Sequence, residues 1–165
     1  MTRKAEIKRA LILTRAKEVF VRNGFNRTTM KDIIDECGIS RGGIYLYFSS
    51  TAEIFVECVR KHNQAKLQEF IERIEKCADF NLLLNEFFDS QTDRLLHMEE
   101  SLFVAMVEFC FRDKSFSERD FYAEQFSNTK KMILALLSFG QKESAVQTAD
   151  IHRLADTVLC IFEGV

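Results

Sequence analysis

Two short amphipathic segments that meet across a single glycine, within residues 29–46, constrain this chain more than any other feature. Thr29 is followed three residues later by Asp32, a spacing that can cap the exposed amides of a helix start in both directions. Apolar residues then recur at helical spacing until Gly38, a typical helix stop. Ser40 is a good N-cap for a second helix that runs to about residue 46. The pattern predicts a helix-turn-helix.

The rest of the chain is predicted to be helical as well. Proline is absent from all 165 residues and glycine occurs only six times, so the two strongest helix breakers are scarce. We therefore expect an all-α protein, with an N-terminal three-helix head that contains the helix-turn-helix, followed by a helical body. Apolar stripes at helical spacing predict the other helices at about 5–22, 51–75, 80–96, 100–111, 117–139 and 150–164.

The net charge of −2 conceals a strong asymmetry along the chain. Residues 1–50 hold ten Lys and Arg against five Asp and Glu, whereas residues 51–165 hold thirteen against twenty. A basic head on an acidic body suits DNA, because cationic side chains release counterions from phosphates while the acidic body avoids non-specific contact. The alternative is chance clustering of charge.

The cysteines and histidines indicate neither a disulfide framework nor a metal site. The five cysteines contain no C-x-x-C pair, and the histidines are isolated, without ligand partners at metal spacing. No catalytic or cofactor-binding motif is present, so we expect a protein that is not an enzyme and has no cofactor or metal. No apolar run approaches the roughly 18 residues that span a bilayer, so we expect a cytoplasmic protein.

The helix-turn-helix layout assigns roles to individual side chains, because its second helix enters the major groove of DNA. Arg41, next to the N-cap Ser40, can contact a guanine edge through two hydrogen bonds, and Gly42 and Gly43 allow close approach. Hydroxyls and one cation flank this helix and suit contacts with backbone phosphates, which fix position rather than sequence. These phosphate candidates are Thr28, Thr29, Lys31, Tyr45 and Tyr47.

Residues of about 8–60 resemble the DNA-binding head of the TetR family of transcriptional regulators. The resemblance rests on Ile12 to Phe25 followed by the stretch TTMKDIIDECGISRGGIYLYFSSTAEIF. It includes Phe20, Gly24 and Phe25 of the first helix, the Gly38-Ile-Ser40 turn and the Tyr45-x-x-Phe48 ending. One position departs from the family pattern, since Thr51 stands where members often have a lysine, so a phosphate contact is expected to be weaker there.

The resemblance implies a homodimeric regulator, expected to be a repressor that leaves a double-stranded DNA operator when a small apolar or amphipathic effector binds. It implies a DNA-binding domain at 1–49 and an effector-binding and dimerisation domain at 50–165. Members run a few dozen residues longer, so the closing helix of the family is expected to be missing. The resemblance also implies an effector pocket lined by Phe87, Phe88, Met106, Phe109 and Phe126. It implies a dimer interface formed by Ile151, Leu154, Ala155, Val158, Leu159 and Phe162.

Three alternatives stay open at this point. The chain can instead be a helical protein-interaction module, although Lys31, Arg41, Tyr45 and Tyr47 would be unusual on a protein-binding face. An enzyme of a helical fold is the second, and it has no recognisable catalytic apparatus. The aromatic residues assigned to a pocket can also be ordinary core, because an aromatic stripe at helical spacing usually is.

Overall fold

The computed structural model describes residues 3–76, 79–112 and 116–163, and these residues form helices and connecting turns without any strand. Eight α-helices follow one another within them, together with one 3₁₀ turn at Met98–Glu100. The helices are α1 (Arg3–Asn23), α2 (Met30–Cys37), α3 (Arg41–Tyr45), α4 (Thr51–Lys76), α5 (Phe80–Leu96), α6 (Phe103–Cys110), α7 (Phe116–Lys142) and α8 (Ile151–Glu163).

This arrangement confirms the predicted all-α class, and most helices begin and end within a few residues of the predicted positions. One prediction was wrong: no single helix runs over 100–111. Ser101 is extended there, with φ −126° and ψ 173°, and its hydroxyl donates to the Met98 carbonyl at 2.8 Å while accepting from the Phe103 N–H at 3.1 Å. Such local side-chain bonds compete with the helical ladder, so the segment divides into the 3₁₀ turn and α6.

The chain divides into two compact units, which we call the head unit and the body unit. The head unit comprises the described residues of Met1–His62 and Leu96–Ser115, and the body unit those of Asn63–Leu95 and Phe116–Val165. The head unit is thus larger than the 1–49 segment proposed from the sequence, because α6 packs against α1. None of the described helices is both long and apolar enough to cross a membrane.

Four phenylalanine rings hold the head unit together. Phe20 of α1 lies 5.0 Å from Phe55 of α4, and Phe25 lies 5.0 Å from Phe55, measured between ring centroids. Phe109 of α6 completes the group at 4.8 Å from Phe25 in an edge-to-face arrangement. All four rings are buried, so α6 belongs to the core of the head unit.

The body unit has its own apolar core, formed by α5, α7 and α8. Leu83 of α5, Ile133 of α7 and Ala155 of α8 are almost fully buried in it. Gly140 of α7 permits the close packing beside this core, because a Cβ there would lie 2.5 Å from the Phe80 ring and 2.6 Å from a methyl group of Val146. Any larger residue at 140 would force the ring or the methyl group to move.

Candidate nucleic-acid interface

Helix α2 begins at the cap that the sequence predicts. The Asp32 N–H donates to the Thr29 hydroxyl oxygen at 3.3 Å, and the Thr29 N–H donates to the Asp32 carboxylate at 2.8 Å. The Thr29 hydroxyl also donates to that carboxylate at 2.7 Å. The hydrogen bond from the Thr29 hydroxyl is the main reason why the pKa of Asp32 lies below its usual value, and the bond from the Thr29 N–H is the second. The start of α2 is therefore well defined, and the Thr29 hydroxyl already has a partner within the protein.

The turn between α2 and α3 depends on Gly38. Its φ of 61° and ψ of 34° lie in the left-handed region, which suits glycine at the end of a helix. Its N–H donates to the Asp35 carbonyl at 3.3 Å, and the Ile39 N–H donates to the Ile34 carbonyl at 3.4 Å. These two bonds satisfy carbonyls at the end of α2 and turn the chain into α3.

Helix α3 has one buried side and one exposed side. Ser40 caps its start by accepting from the Gly43 N–H at 3.1 Å. Ile44 and Phe48 are completely or almost completely buried in the head unit. Arg41 at the start of α3 is exposed, with its guanidinium 5.8 Å from the Tyr45 ring centroid, a distance compatible with a cation–π contact. The buried pair anchors α3, and Arg41 remains accessible at its start.

The end of α3 is supported by contacts of Arg9 that the sequence did not predict, and we call these contacts the Arg9 buttress. Arg9 of α1 donates to the Tyr47 carbonyl at 2.8 Å, and its guanidinium lies 4.3 Å from the Phe48 ring centroid. The same group pairs with the Glu57 carboxylate of α4, with an Nε–Oε1 distance of 2.8 Å. The hydrogen bond to Glu57 is the main reason why the pKa of Arg9 is raised above its ordinary value. Arg9 thus joins α1, the turn that follows α3, and α4 through one planar fork.

The remaining predicted interface residues occupy different environments. Lys31 is exposed one residue inside α2, and Tyr47 and Thr51 are half-buried. Thr28 is 6% exposed, and its hydroxyl donates to the Gly24 carbonyl at 2.6 Å. Because that hydroxyl is buried and bonded, the sequence-based role of Thr28 as a phosphate ligand has no support, and we leave it out of the interface. Gly42 lies exposed on α3 beside Arg41, with no atom within 4 Å of the place a Cβ would take.

The five residues assigned to an effector pocket are divided between the two units. Met106 and Phe109 belong to the head unit, and Phe87, Phe88 and Phe126 to the body unit. Phe109 and Phe87 are core residues in their respective units, whereas Phe88 and Phe126 are exposed. Phe87 and Phe109 are therefore better described as core residues than as pocket residues.

The carboxylates of Glu86 and Glu108 have partners inside the protein. Glu86 accepts from Arg73 at 2.6 and 3.0 Å within the body unit. Glu108 accepts from the Asn26 N–H at 2.9 Å within the head unit, and its carboxylate also occupies the space where a Cβ on Gly24 would lie. Both groups are therefore accounted for by structural contacts.

The apolar stripe predicted as a dimer interface packs onto the body unit's own core. Ala155 is buried in that core, and the other five members of the stripe are half-buried against it. Outside the stripe, Ile161 is 75% exposed and Cys160 is exposed. Packing within the chain explains most of the apolar character of α8, and dimerisation through its uncovered part stays a prediction. In the described part of the chain, no group of three or more metal-ligating side chains is suitably placed for a metal ion.

Comparison with known proteins assigns the head to a family. The model of the bacterial regulatory proteins of the tetR family matches residues 12–58, which contain α2, α3 and the buried anchors of α3. Residues 12–58 are a TetR-family head. The uncharacterized HTH-type transcriptional regulator YfiR of Bacillus subtilis is 36% identical to this chain over 121 residues. That match covers 72% of this chain and 57% of YfiR, so the chain spans little more than half of this relative's length.

Solved structures of other proteins share the fold over nearly the whole chain. The reduced form of Escherichia coli NemR has a TM-score of 0.73 at 12% identity, covering 95% of this chain and 84% of NemR. FadR from Bacillus subtilis in complex with stearoyl-CoA has a TM-score of 0.69 at 18% identity, covering 94% of this chain and 81% of FadR. At these identities the likeness concerns the fold alone.

Proposed function

We propose that this chain is a sequence-specific DNA-binding transcriptional regulator whose helix α3 enters the major groove. One observation carries the proposal: Ile44 and Phe48 anchor α3 in the core, while Arg41 at the start of the helix remains exposed. A recognition helix needs this division, because its inner side must be held rigidly while its outer side meets base edges. The excess of basic residues in the first fifty positions supports the same function.

The exposed side chains divide into readers of sequence and contacts that fix position. Arg41 would donate two hydrogen bonds to a guanine edge, and Gly42 and Gly43 would let the helix approach the bases. Lys31 would pair with a phosphate, and the hydroxyls of Tyr45, Tyr47, Thr51 and the capping residues Thr29 and Ser40 would supplement it. Phosphate contacts contribute affinity on every sequence, so only Arg41 among the charged residues should control base preference.

We further propose that the regulator acts as a homodimer and is released from DNA by an effector. Two recognition helices must sit about 34 to 36 Å apart to enter successive major grooves of a palindromic site. An effector that favours a different spacing lowers the DNA-competent population in proportion to its differential affinity. A small apolar or amphipathic effector is favoured by the exposed Phe88 and Phe126 in the body unit and by the stearoyl-CoA complex of the structurally similar FadR.

A protein-interaction module is the competing function, and the composition of the exposed surface argues against it. Interfaces between proteins are depleted in lysine and are centred on apolar residues. The outer surface of α2 and α3 instead presents two cations, Lys31 and Arg41, and its one strongly exposed aliphatic side chain is Leu46, directly after α3. DNA accounts for that combination better than an apolar partner does, because each of these groups has a natural contact on a duplex.

The test compares Arg41→Ala with Lys31→Ala in fluorescence anisotropy against a selected duplex and a scrambled one. Arg41→Ala should weaken binding to the selected duplex by about 1 to 3 kcal/mol and leave the scrambled duplex nearly unaffected. Lys31→Ala should weaken both duplexes alike and reduce the salt slope by about one. Because both variants remove one exposed positive charge, each serves as the control for the other. Equal losses on both duplexes for Arg41→Ala would contradict its role as a base reader.

A further inference from the structure

Leu46, directly after α3, is the most exposed side chain among the apolar residues of the helix-turn-helix. It is 81% exposed, although its neighbours Ile44 and Phe48 are buried. Single exposed leucines are common on protein surfaces and need no explanation by themselves. The position of this one is informative, because it lies on the surface that the proposed function turns toward DNA.

The backbone keeps Leu46 on the helical path. Its φ of −70° and ψ of −19° are helical, and the Phe48 N–H donates to the Ile44 carbonyl at 3.0 Å. Successive residues of a helix are rotated by roughly 100°, so Leu46 points roughly 160° away from each of the buried anchors. No residue of this turn points more directly away from the core of the head unit.

The surface beside Leu46 is bare on the side nearest the start of α3. Side chains on a helix lean toward its N-terminus and cover the preceding turn. The residue four positions earlier is Gly42, which is exposed and has no atom within 4 Å of its missing Cβ. The leucine methyl groups therefore extend over a glycine, with no side chain at that position to keep a base edge away.

We propose that Leu46 is a specificity-determining residue that contacts the C5-methyl group of a thymine in the half-site. This inference rests on the proposed function and adds the identity of a second base beside the guanine assigned to Arg41. The thymine methyl is the apolar group that the major groove presents. Against any other base edge, the leucine would cover a donor or acceptor without bonding it, which is unfavourable.

The experiment removes the methyl group from the DNA and leaves the protein intact. A duplex is first selected from a random library with the full chain, and each thymine is then replaced singly by deoxyuridine. Binding of the unaltered chain should weaken about fourfold at one thymine of the half-site, the effect of losing one buried methyl group. Leu46→Ala should bind the thymine and deoxyuridine duplexes equally.

Leu82→Ala is the matched control, because Leu82 is also exposed but lies on α5 in the body unit. This variant should keep the fourfold loss at the same thymine. The proposal is overturned if no single deoxyuridine weakens binding, or if Leu46→Ala retains the loss. Failure to select any duplex over random DNA would instead overturn the proposed function, and this inference with it, so the two failures are distinguishable.

Discussion

Replacing Arg9 by methionine should weaken DNA binding, although Arg9 lies in α1 and not in the recognition helix α3. Methionine keeps much of the stem volume of arginine and removes the charge and the donors. The hydrogen bond to the Tyr47 carbonyl is worth about 1 kcal/mol. The half-exposed ion pair with Glu57 adds no more than about 1 kcal/mol, and the contact with the Phe48 ring about 0.5 to 1 kcal/mol. The free energy of unfolding of the head unit should therefore fall by about 1.5 to 3 kcal/mol.

Urea denaturation measures this loss, and binding to a selected duplex measures its consequence for α3. Arg15→Met is the matched control, because Arg15 lies on the same helix and its ion pair with Glu18 is exposed on both sides. It removes the same charge, yet should change the free energy of unfolding by less than about 0.5 kcal/mol. Arg9→Lys should restore the charge but not the fork, and so recover only part of the loss.

The result that would refute this reasoning is equality between the Arg9→Met and Arg15→Met variants. If both lost the same stability and the same DNA affinity, Arg9 would act through its charge alone and the buttress would have no mechanical role. A specific loss in Arg9→Met that persists at high salt would support the buttress, because contacts shielded from solvent are screened less than exposed charges.

Three further predictions concern the turn, the cap and the thiols. Gly38→Ala should destabilise the protein by about 1 kcal/mol in urea denaturation, because φ is positive there, whereas Gly42→Ala should be neutral or slightly stabilising. The folded-state pKa of Asp32 is depressed, so its contribution is present above about pH 4 and lost as pH falls; Asp32→Asn should flatten acid unfolding there. Burial raises the pKa of Cys58 to about 12, so mass spectrometry after iodoacetamide treatment at pH 8 should find exposed Cys160 alkylated well before Cys58.

Features that depend on neighbouring residues could be predicted from the sequence. The α2 cap, the Gly38 turn and the Ser40 cap each involve residues within five positions of one another, so a spacing rule is sufficient. The apolar anchors of the helices followed from periodicity in the same way. These local signals also carried the resemblance to the TetR family, since its pattern lies within the head.

Features that depend on distant residues could not be predicted in this way. Arg9 contacts Tyr47, which is 38 positions away, and Glu57, which is 48 positions away. No local pattern marks pairs that are so far apart in the sequence. Phe109 has the same helical spacing as a pocket residue, but it lies against Phe25 and Phe55 in the head core. In the sequence, Thr28 stands beside a helix cap, and nothing there marks its hydroxyl as bonded. The structure shows that this hydroxyl is buried and donates to the Gly24 carbonyl.

The central claim is that the chain reads DNA sequence, and one titration tests it most directly. Fluorescence anisotropy compares a duplex from upstream of the protein's own gene with a scrambled duplex of equal composition, over a range of salt concentrations. We predict preference for the upstream duplex at every salt concentration and a steep loss of affinity for both duplexes as salt rises. No binding to either duplex at low salt, or equal binding to both throughout, would contradict the account.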